Sequence, residues 1–368
     1  MKTLHVESGR HLYGGALQVV SLLRGLQAGG DAPVLACPQD SAIAAAVRGF
    51  GVPVHEIPMK GDLDLGMISR LQRLIRVEQP TLVHLHSRRG SDLWGGIAAR
   101  LEGVPAVLSR RVDNPEPRWW VRRKYRLYAR VIAISEGIRT VLVAQGLDPL
   151  KVRCVHSAVD TDTYRPEPAD RAWLRSEFGL AADEATIAMA AQFIPRKGHR
   201  TLLAALPAVF AAHPRTRVLL LGQGPEWNAI REMVVRAGWT DRVLFPGFRP
   251  DLARVLPCID LLVHPAETEG LGVALLQAAG CGVPIVASRT GGIPEVVQPG
   301  LNGRLIEPGD AAALAGHMID LLADGDLRRR FGAAGRQLML ERFSVAAMVK
   351  GNREVYADVC RALQMNGR

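Results

Sequence analysis

Several things are missing from this chain of 368 residues, and their absence narrows what it can do. No stretch reaches the ~18 consecutive apolar residues that a membrane span needs. The amino end, MKTLHVESGR, has no apolar core of the kind a secretory signal carries. The expectation is a cytoplasmic protein that meets a membrane only from its surface. Five cysteines, at 37, 154, 258, 281 and 360, are scattered without CxxC or His-Cys spacing, so neither a disulfide framework nor a zinc site is indicated. No internal repeat or low-complexity tract occurs, and no motif that reads RNA or DNA accompanies the positive charge, which argues against a nucleic-acid partner.

What is present is enough apolar material for two cores, 48% of the chain, and a net charge of +10 that is unevenly spread. Residues 1–156 hold 22 Lys and Arg against 13 Asp and Glu, whereas residues 157–368 hold 24 against 23. The amino-terminal half therefore carries the field. Its densest part runs from Arg118 to Arg130 with no acid in between, and it includes the adjacent pair Trp119 and Trp120. Two readings stand: a solvated helix face, or a surface for anionic lipid or a phosphorylated acceptor. The tryptophans favour the second, because aromatic and cationic residues together suit a membrane interface.

Short apolar runs alternate with amphipathic stretches in the rhythm of strands joined by crossover helices. Residues 3–7, 34–37, 81–86, 106–109 and 131–134 read as one set of strands, and 186–190, 218–222, 243–245, 261–264 and 284–288 as a second. Helical patterns fill the gaps, as at 16–28, 65–78 and 201–212. The expectation is an α/β protein of two Rossmann-like, doubly wound parallel-sheet domains, residues 1–160 and 161–343, with ligands outside the carboxyl ends of the strands and chemistry in a cleft between the domains.

The stretch His264 to Glu295, HPAETEGLGVALLQAAGCGVPIVASRTGGIPE, is the most informative. A strand feeds a loop with Glu267, Glu269, Gly270 and Gly272, and a helix follows. That arrangement points backbone N–H groups and the positive end of a helix at one spot, which suits a diphosphate. An acidic side chain at the loop edge can accept hydrogen bonds from sugar hydroxyls. The stretch resembles the donor signature of glycosyltransferase family 4, retaining enzymes of the GT-B fold, written E-G-[FL]-G-x4-E, then G-x-P, then G-G-x-P-E. Glu269, Gly270, Leu271 and Gly272 match its start, Gly282 and Pro284 its middle, and Gly291, Gly292, Pro294 and Glu295 its end. Gln277 stands where the family has a second glutamate, the one that binds the ribose hydroxyls. Glutamine keeps a carbonyl acceptor there and loses the charge.

The same resemblance extends along the chain. Residues 191–199 align with G-R-L-x-x-x-K-G, whose Arg and Lys clamp the donor diphosphate. Lys197 and Gly198 match, Gln192 replaces the arginine, and Arg196 is a neighbouring guanidinium that could take its place. Gly14 and Gly15 resemble the family's glycine loop facing phosphate and acceptor; paired glycines let the backbone approach a ligand closely, although such turns are also common on their own. Residues 156–160 partly match the family's interdomain segment, and a last helix over 344–363 is expected, by resemblance, to pack back on the amino-terminal domain.

Just past a strand end, His86, Ser87, Arg88 and Arg89 read as an anion or sugar grip, against the bland alternative of a structural histidine. After the next strand, Arg110, Arg111 and Asp113 follow, with Arg111 at a position where many family members carry a sugar-contacting histidine. Arginine stays protonated, so contact with phosphate or an anionic acceptor is expected there in place of general base work. Asp113 is the nearest carboxylate. Two D-x-D pairs, Asp62 with Asp64 and Asp160 with Asp162, are read as turn and cap chemistry, and metal-independent transfer is expected.

The resemblance thus implies a retaining glycosyltransferase that uses no cofactor beyond a nucleoside-diphosphate sugar, with UDP the commonest base in the family. Glu269, Lys197, Arg111 and His86 would carry the transfer. Gly14, Gly15, Gln192, Arg196, Gly270, Leu271, Gly272, Gln277 and Glu295 would hold the donor. Arg88, Arg89, Arg110 and Asp113 would hold the acceptor, a glycan or glycolipid of the bacterial envelope such as lipopolysaccharide core. Two other classes remain open: a nucleotide-sugar 2-epimerase of the same fold, and a non-catalytic nucleotide-sugar-binding partner protein, which the losses at Gln192 and Gln277 would favour.

Overall fold

The computed structural model describes residues 1–12, 14–86, 90–166 and 170–365. Two compact units emerge, one formed by Met1–Ala158 with the carboxy-terminal helix Val345–Met365, the other by Val159–Ser344. Each is built on a parallel sheet, seven-stranded in the first and six-stranded in the second.

In the first unit the strands are β1 (Lys2–Val6), β2 (Ala32–Cys37), β3 (Val54–Glu56), β4 (Leu82–Leu85), β5 (Ala106–Arg110), β6 (Arg130–Ala133) and β7 (Val152–Cys154). Their spatial order is β3-β2-β1-β4-β5-β6-β7. The chain winds outward from β1 to β3, then returns so that β4 pairs with the other side of β1, His5 beside His84. The reversal opens a crevice at the carboxyl ends of β1 and β4, where ligands bind in sheets of this kind.

Central strands of a parallel sheet are covered on both faces and so consist of apolar residues nearly throughout. One face carries Leu82, Val107 and Ile132, packed under Tyr356 and Val359 of the terminal helix and Leu22 and Leu26 of helix Gly14–Ala28. Thr3, His5, His84 and Ser109 are also buried in these strands, and buried polar groups require partners. Those partners shape the site described below.

The second unit holds β8 (Ala185–Ala190), β9 (Thr216–Leu221), β10 (Val243–Gly247), β11 (Leu261–His264), β12 (Ile285–Ser288) and β13 (Gly303–Ile306), in the order β10-β9-β8-β11-β12-β13. Its reversal lies between β8 and β11. Phe193, Leu206, Leu220, Ile230, Val263 and Met318 belong to its continuous core. Each such side chain, fully buried, contributes about 1.5–3 kcal/mol of transfer free energy.

The ten expected strands are present with ends shifted by one or two residues, and three more, β3, β7 and β13, join the sheets at their edges. β3 and β7 have three residues each, too short to show a period, and β13 has four. Among the described residues the cysteines form no disulfide. Among the described residues no helix is long and apolar enough to cross a membrane.

Candidate functional site

In the second unit the chain leaves β8, turns once through Pro195–Lys197 and enters helix His199–Ala212. Gly198 at the junction has φ +77°, a conformation that costs an L-residue with a side chain ~1–2 kcal/mol. A β-carbon there would lie 1.8 Å from the Pro265 carbonyl oxygen. Only glycine lets the two strand exits press together, and this approach brings Lys197 to the loop after β11.

There the Lys197 ammonium pairs with Glu269 Oε2. The same oxygen accepts from His264 Nε2 at 3.0 Å, and Oε1 accepts from the Gly270 N–H at 3.1 Å. Burial opposes ionisation of Glu269, but the His264 hydrogen bond and the Lys197 charge prevail and hold the carboxyl well below its usual range. Burial also lowers the His264 imidazole, against the pull of Glu269. Glu269 is thus a fixed anion beside a fixed cation at the sheet's reversal point.

The remaining donor-side residues surround this pair unequally. Gly272, with φ +91°, precedes helix Val273–Gly280, and Gly270 and Leu271 are buried beside it. Arg196 is exposed and donates from Nη1 to the Thr268 carbonyl at 3.3 Å, so its guanidinium is drawn to the Glu269 loop. Gln192 is exposed at the exit of β8. Gln277 is buried on its helix, and its amide donates to the Tyr164 hydroxyl at 2.9 Å. Glu295 is half-buried in the short helix Ile293–Val296.

In the first unit a cavity of about 340 Å³ opens at the carboxyl ends of β1, β4 and β5. Gly15, His86 and the adjacent pair Arg110 and Arg111, from three separate stretches of the sequence, line it together with Glu7 and Ser109. Arg111 passes over Gly15, whose hypothetical β-carbon would stand 3.6 Å from Arg111 Cδ. Burial depresses the guanidinium's proton affinity and the nearby Glu7 carboxylate opposes that effect. Arginine remains a cation under either influence. Its Nε is buried with no hydrogen-bond partner among the described residues, a donor turned to no acceptor.

Arg110 is buried and engaged otherwise. It lies 3.6 Å from Glu116, which also accepts from Lys124 Nζ at 3.0 Å and Tyr125 Oη at 2.9 Å, and Lys124 pairs in turn with Asp92. The acids that balance the basic run therefore come from outside it. Arg118, Arg122, Arg123 and Arg126 remain exposed, with Trp119 packed edge-on against Trp120. Gly14 begins the first helix, and Asp113 lies half-buried after β5 without lining the cavity. Arg88 and Arg89 lie outside the described residues.

The D-x-D carboxylates make local contacts. Asp64 accepts from the Lys60 N–H and pairs with Arg70, and Asp160 accepts from the N–H groups of Asp162 and Thr163.

Sequence reasoning passed over His264, Glu7, Ser109 and Tyr164. His264 and Glu7 end or follow a strand, which is the available signal. Nothing in the local sequence marks Tyr164 as the partner of Gln277, 113 residues away.

The family described as "Glycosyl transferases group 1" matches residues 170–338, and "Glycosyltransferase Family 4" matches residues 13–163. The alpha-maltose-1-phosphate synthase of Mycolicibacterium smegmatis is 30% identical over 95% of this chain and 96% of its own length. The N-acetyl-alpha-D-glucosaminyl L-malate synthase of Bacillus anthracis is 33% identical over 57% of this chain, a match spanning 54% of that relative. The crystal structure of Anabaena HepE, solved with UDP and glucose, superposes with a TM-score of 0.86 at 22% identity, covering 97% of this chain and 99% of that one.

Proposed function

This chain belongs to glycosyltransferase family 4 and has the GT-B fold, and from that premise we propose that it moves a sugar from a nucleoside-diphosphate donor, a UDP-sugar, to a hydroxyl of an anionic envelope glycan such as lipopolysaccharide core, with retention at the anomeric carbon. The observation that carries the reading is the ion pair of Lys197 and Glu269 at the reversal point of the second sheet. In it Glu269 grips sugar hydroxyls, and Lys197 with the amides of Gly270 to Gly272 offsets the charge growing on the departing diphosphate. These donors stand in for a divalent cation in our scheme, so transfer proceeds without metal or further cofactor.

The step itself breaks the bond between C1 and the phosphate oxygen and forms one between C1 and the acceptor oxygen on the same face, through an oxocarbenium-like state. The acceptor proton passes to the leaving phosphate oxygen. No enzyme nucleophile is required.

The acceptor is assigned to the cavity of the first unit. Support comes from Arg111, a cation that lines the cavity, and from the positive end of helix Gly14–Ala28 beside it. The exposed arginines around Trp119 would hold the protein on an anionic membrane face, the cytoplasmic one in this scheme, where a lipid-anchored acceptor is found.

Calorimetric titration with UDP, GDP and ADP and their sugar conjugates, without added metal, tests the donor assignment. Saturable binding of one base, lost in Lys197→Ala, is expected, followed by transfer to a phosphorylated acceptor. Binding that survives in the variant would remove the clamp role. Binding without any turnover would favour a non-catalytic nucleotide-sugar-binding partner, the reading that exposed Gln192 supports.

A further inference from the structure

Beneath the cavity of the first unit lie three buried histidines, His5, His84 and His86, with ligand-type atoms close enough together to suggest a metal centre. Their hydrogen bonds argue otherwise. His5 Nδ1 meets His86 Nε2 at 2.9 Å and His5 Nε2 meets Thr3 Oγ1 at 2.9 Å. His84 Nδ1 meets Tyr356 Oη at 2.6 Å and its Nε2 meets Ser109 Oγ at 2.8 Å. His86 Nδ1 faces Arg111 Nη2 at 3.4 Å. All six ring nitrogens already have a partner, and one of those partners is the Arg111 guanidinium, which repels a cation.

One member of this network decides the direction of the rest. Arginine has only donors, so His86 Nδ1 must accept from Arg111. A neutral imidazole that accepts at Nδ1 carries its proton on Nε2, so His86 donates to His5 Nδ1. By the same logic His5 carries its proton on Nε2 and donates to Thr3. We propose that Arg111, His86, His5 and Thr3 form a one-way chain of hydrogen bonds in which the two histidines are positioning residues that hold the Arg111 guanidinium plane fixed at the cavity. Burial agrees with this, since it lowers both imidazoles and keeps them neutral, His5 down to about 3. Protonating either ring would set donor against donor.

Holding Nη2 from below fixes the guanidinium plane of Arg111 where the side chain lines the cavity, while its buried Nε–H has no partner among the described residues. A rigid fork loses less freedom on binding an oxyanion than a swinging side chain does. His86 on this account serves the site without acting as its base. The chain stands on geometry alone, whereas its use in gripping an acceptor anion rests on the function proposed above.

The test is NMR on the full chain with ¹⁵N-labelled histidine and arginine. Long-range proton–nitrogen correlation should show His5 and His86 as neutral Nε2–H tautomers, and Arg111 should give separate Nη signals because rotation about its Cζ–Nε bond is hindered. His86→Asn, which retains an acceptor where Nδ1 stood, should keep the separate signals. His86→Phe, which retains the ring but not the acceptor, should merge them. An Nδ1–H tautomer or an imidazolium at either histidine overturns the chain, and this readout needs no variant to fold. Signals that stay separate in His86→Phe overturn the positioning role. Titration with inorganic phosphate addresses the functional reading separately: affinity should fall roughly fivefold in His86→Phe and hold in His86→Asn, fivefold being about 1 kcal/mol, the size of one hydrogen bond. Correct tautomers with no phosphate binding would leave the chain intact and sink the anionic-acceptor assignment.

Discussion

Gly198 and the Pro265 carbonyl are in such close approach that a β-carbon on the glycine would lie 1.8 Å from that oxygen. The contact joins the exit of β8 to the exit of β11, and through it the Lys197 ammonium reaches Glu269. Gly198→Ala should therefore do two things at once. The left-handed backbone costs ~1–2 kcal/mol, and the clash adds a forced separation of the two loops. Gly179 provides the control, with φ +62° and nothing within 4 Å of its hypothetical β-carbon. Gly179→Ala should lower the unfolding midpoint modestly and leave nucleotide binding intact, whereas Gly198→Ala should lower both. Equal behaviour of the two variants in thermal unfolding and calorimetry would show that the close approach has no bearing on the donor site.

The charge state of Glu269 sets an acid-stability signature. Its carboxyl is held below the ordinary value of 4.5 in the folded protein. A depressed carboxylate contributes stability above its unfolded pKa, and that contribution is lost as pH falls from about 4 through the folded value. Denaturant unfolding of wild type and Glu269→Gln between pH 7 and pH 3 checks this. The gap between them should be constant from pH 7 to about pH 5 and shrink below that. A gap that widens on acidification would mean that the carboxyl is not stabilised in its ionised form.

Tyr356 and His84 meet at 2.6 Å although 272 residues separate them. Tyr356→Phe keeps the ring in its apolar bed and strips the partner from a fully buried nitrogen, which costs about 1–3 kcal/mol. The expected result is a lower midpoint in urea with an unchanged slope. Tyr356→Phe combined with His84→Phe should cost less than the sum of the two single losses, because the two share one contact, although His84→Phe also strips the Ser109 hydroxyl of its partner. Full additivity of the two losses would count against the contact.

How far the sequence carried these conclusions depends on how local the determinant was. The strands at 186–190 and 261–264 and the acid at 269 are legible because each is a feature of one short stretch, an apolar run or a loop-edge carboxylate, whereas the glycine at 198 is marked only by its match to a family motif. The association of His86 with Arg111 at one cavity follows from strand ends in a parallel sheet, and both residues were named from that rule. Pairings that depend on the assembled sheet are different in kind. Lys124 looks like part of a uniform basic surface until Asp92 and Glu116, from two other segments, are seen beside it. His5 and His84 look like any histidine in an apolar run, and only the register that sets them side by side makes them part of a network. The edge strands β3 and β7 were unreadable because three residues complete no period.

Gln277 is one of the positions where the chain departs from the donor signature it resembles, and the structure makes the departure testable. Its amide donates to the Tyr164 hydroxyl at 2.9 Å inside the second unit. Burial pushes that phenol up to about 12, so it stays protonated at neutral pH and has a hydrogen to give. Gln277→Glu would reverse the contact, with Tyr164 donating to one carboxylate oxygen and the other left as a charged acceptor for ribose hydroxyls. A hydrogen bond to a charged group contributes ~1.5–3 kcal/mol against ~1 for a neutral one. Nucleotide affinity should therefore rise about fivefold or more in the variant, a gain of at least ~1 kcal/mol. Tyr164→Phe in the same background should lose part of that gain, because the carboxylate then sits buried with one oxygen unpaired and takes up a proton more readily. Affinity that is unchanged or weaker in Gln277→Glu, with folding intact, would take position 277 out of the ribose contact and leave the side chain as a clasp between its helix and Tyr164.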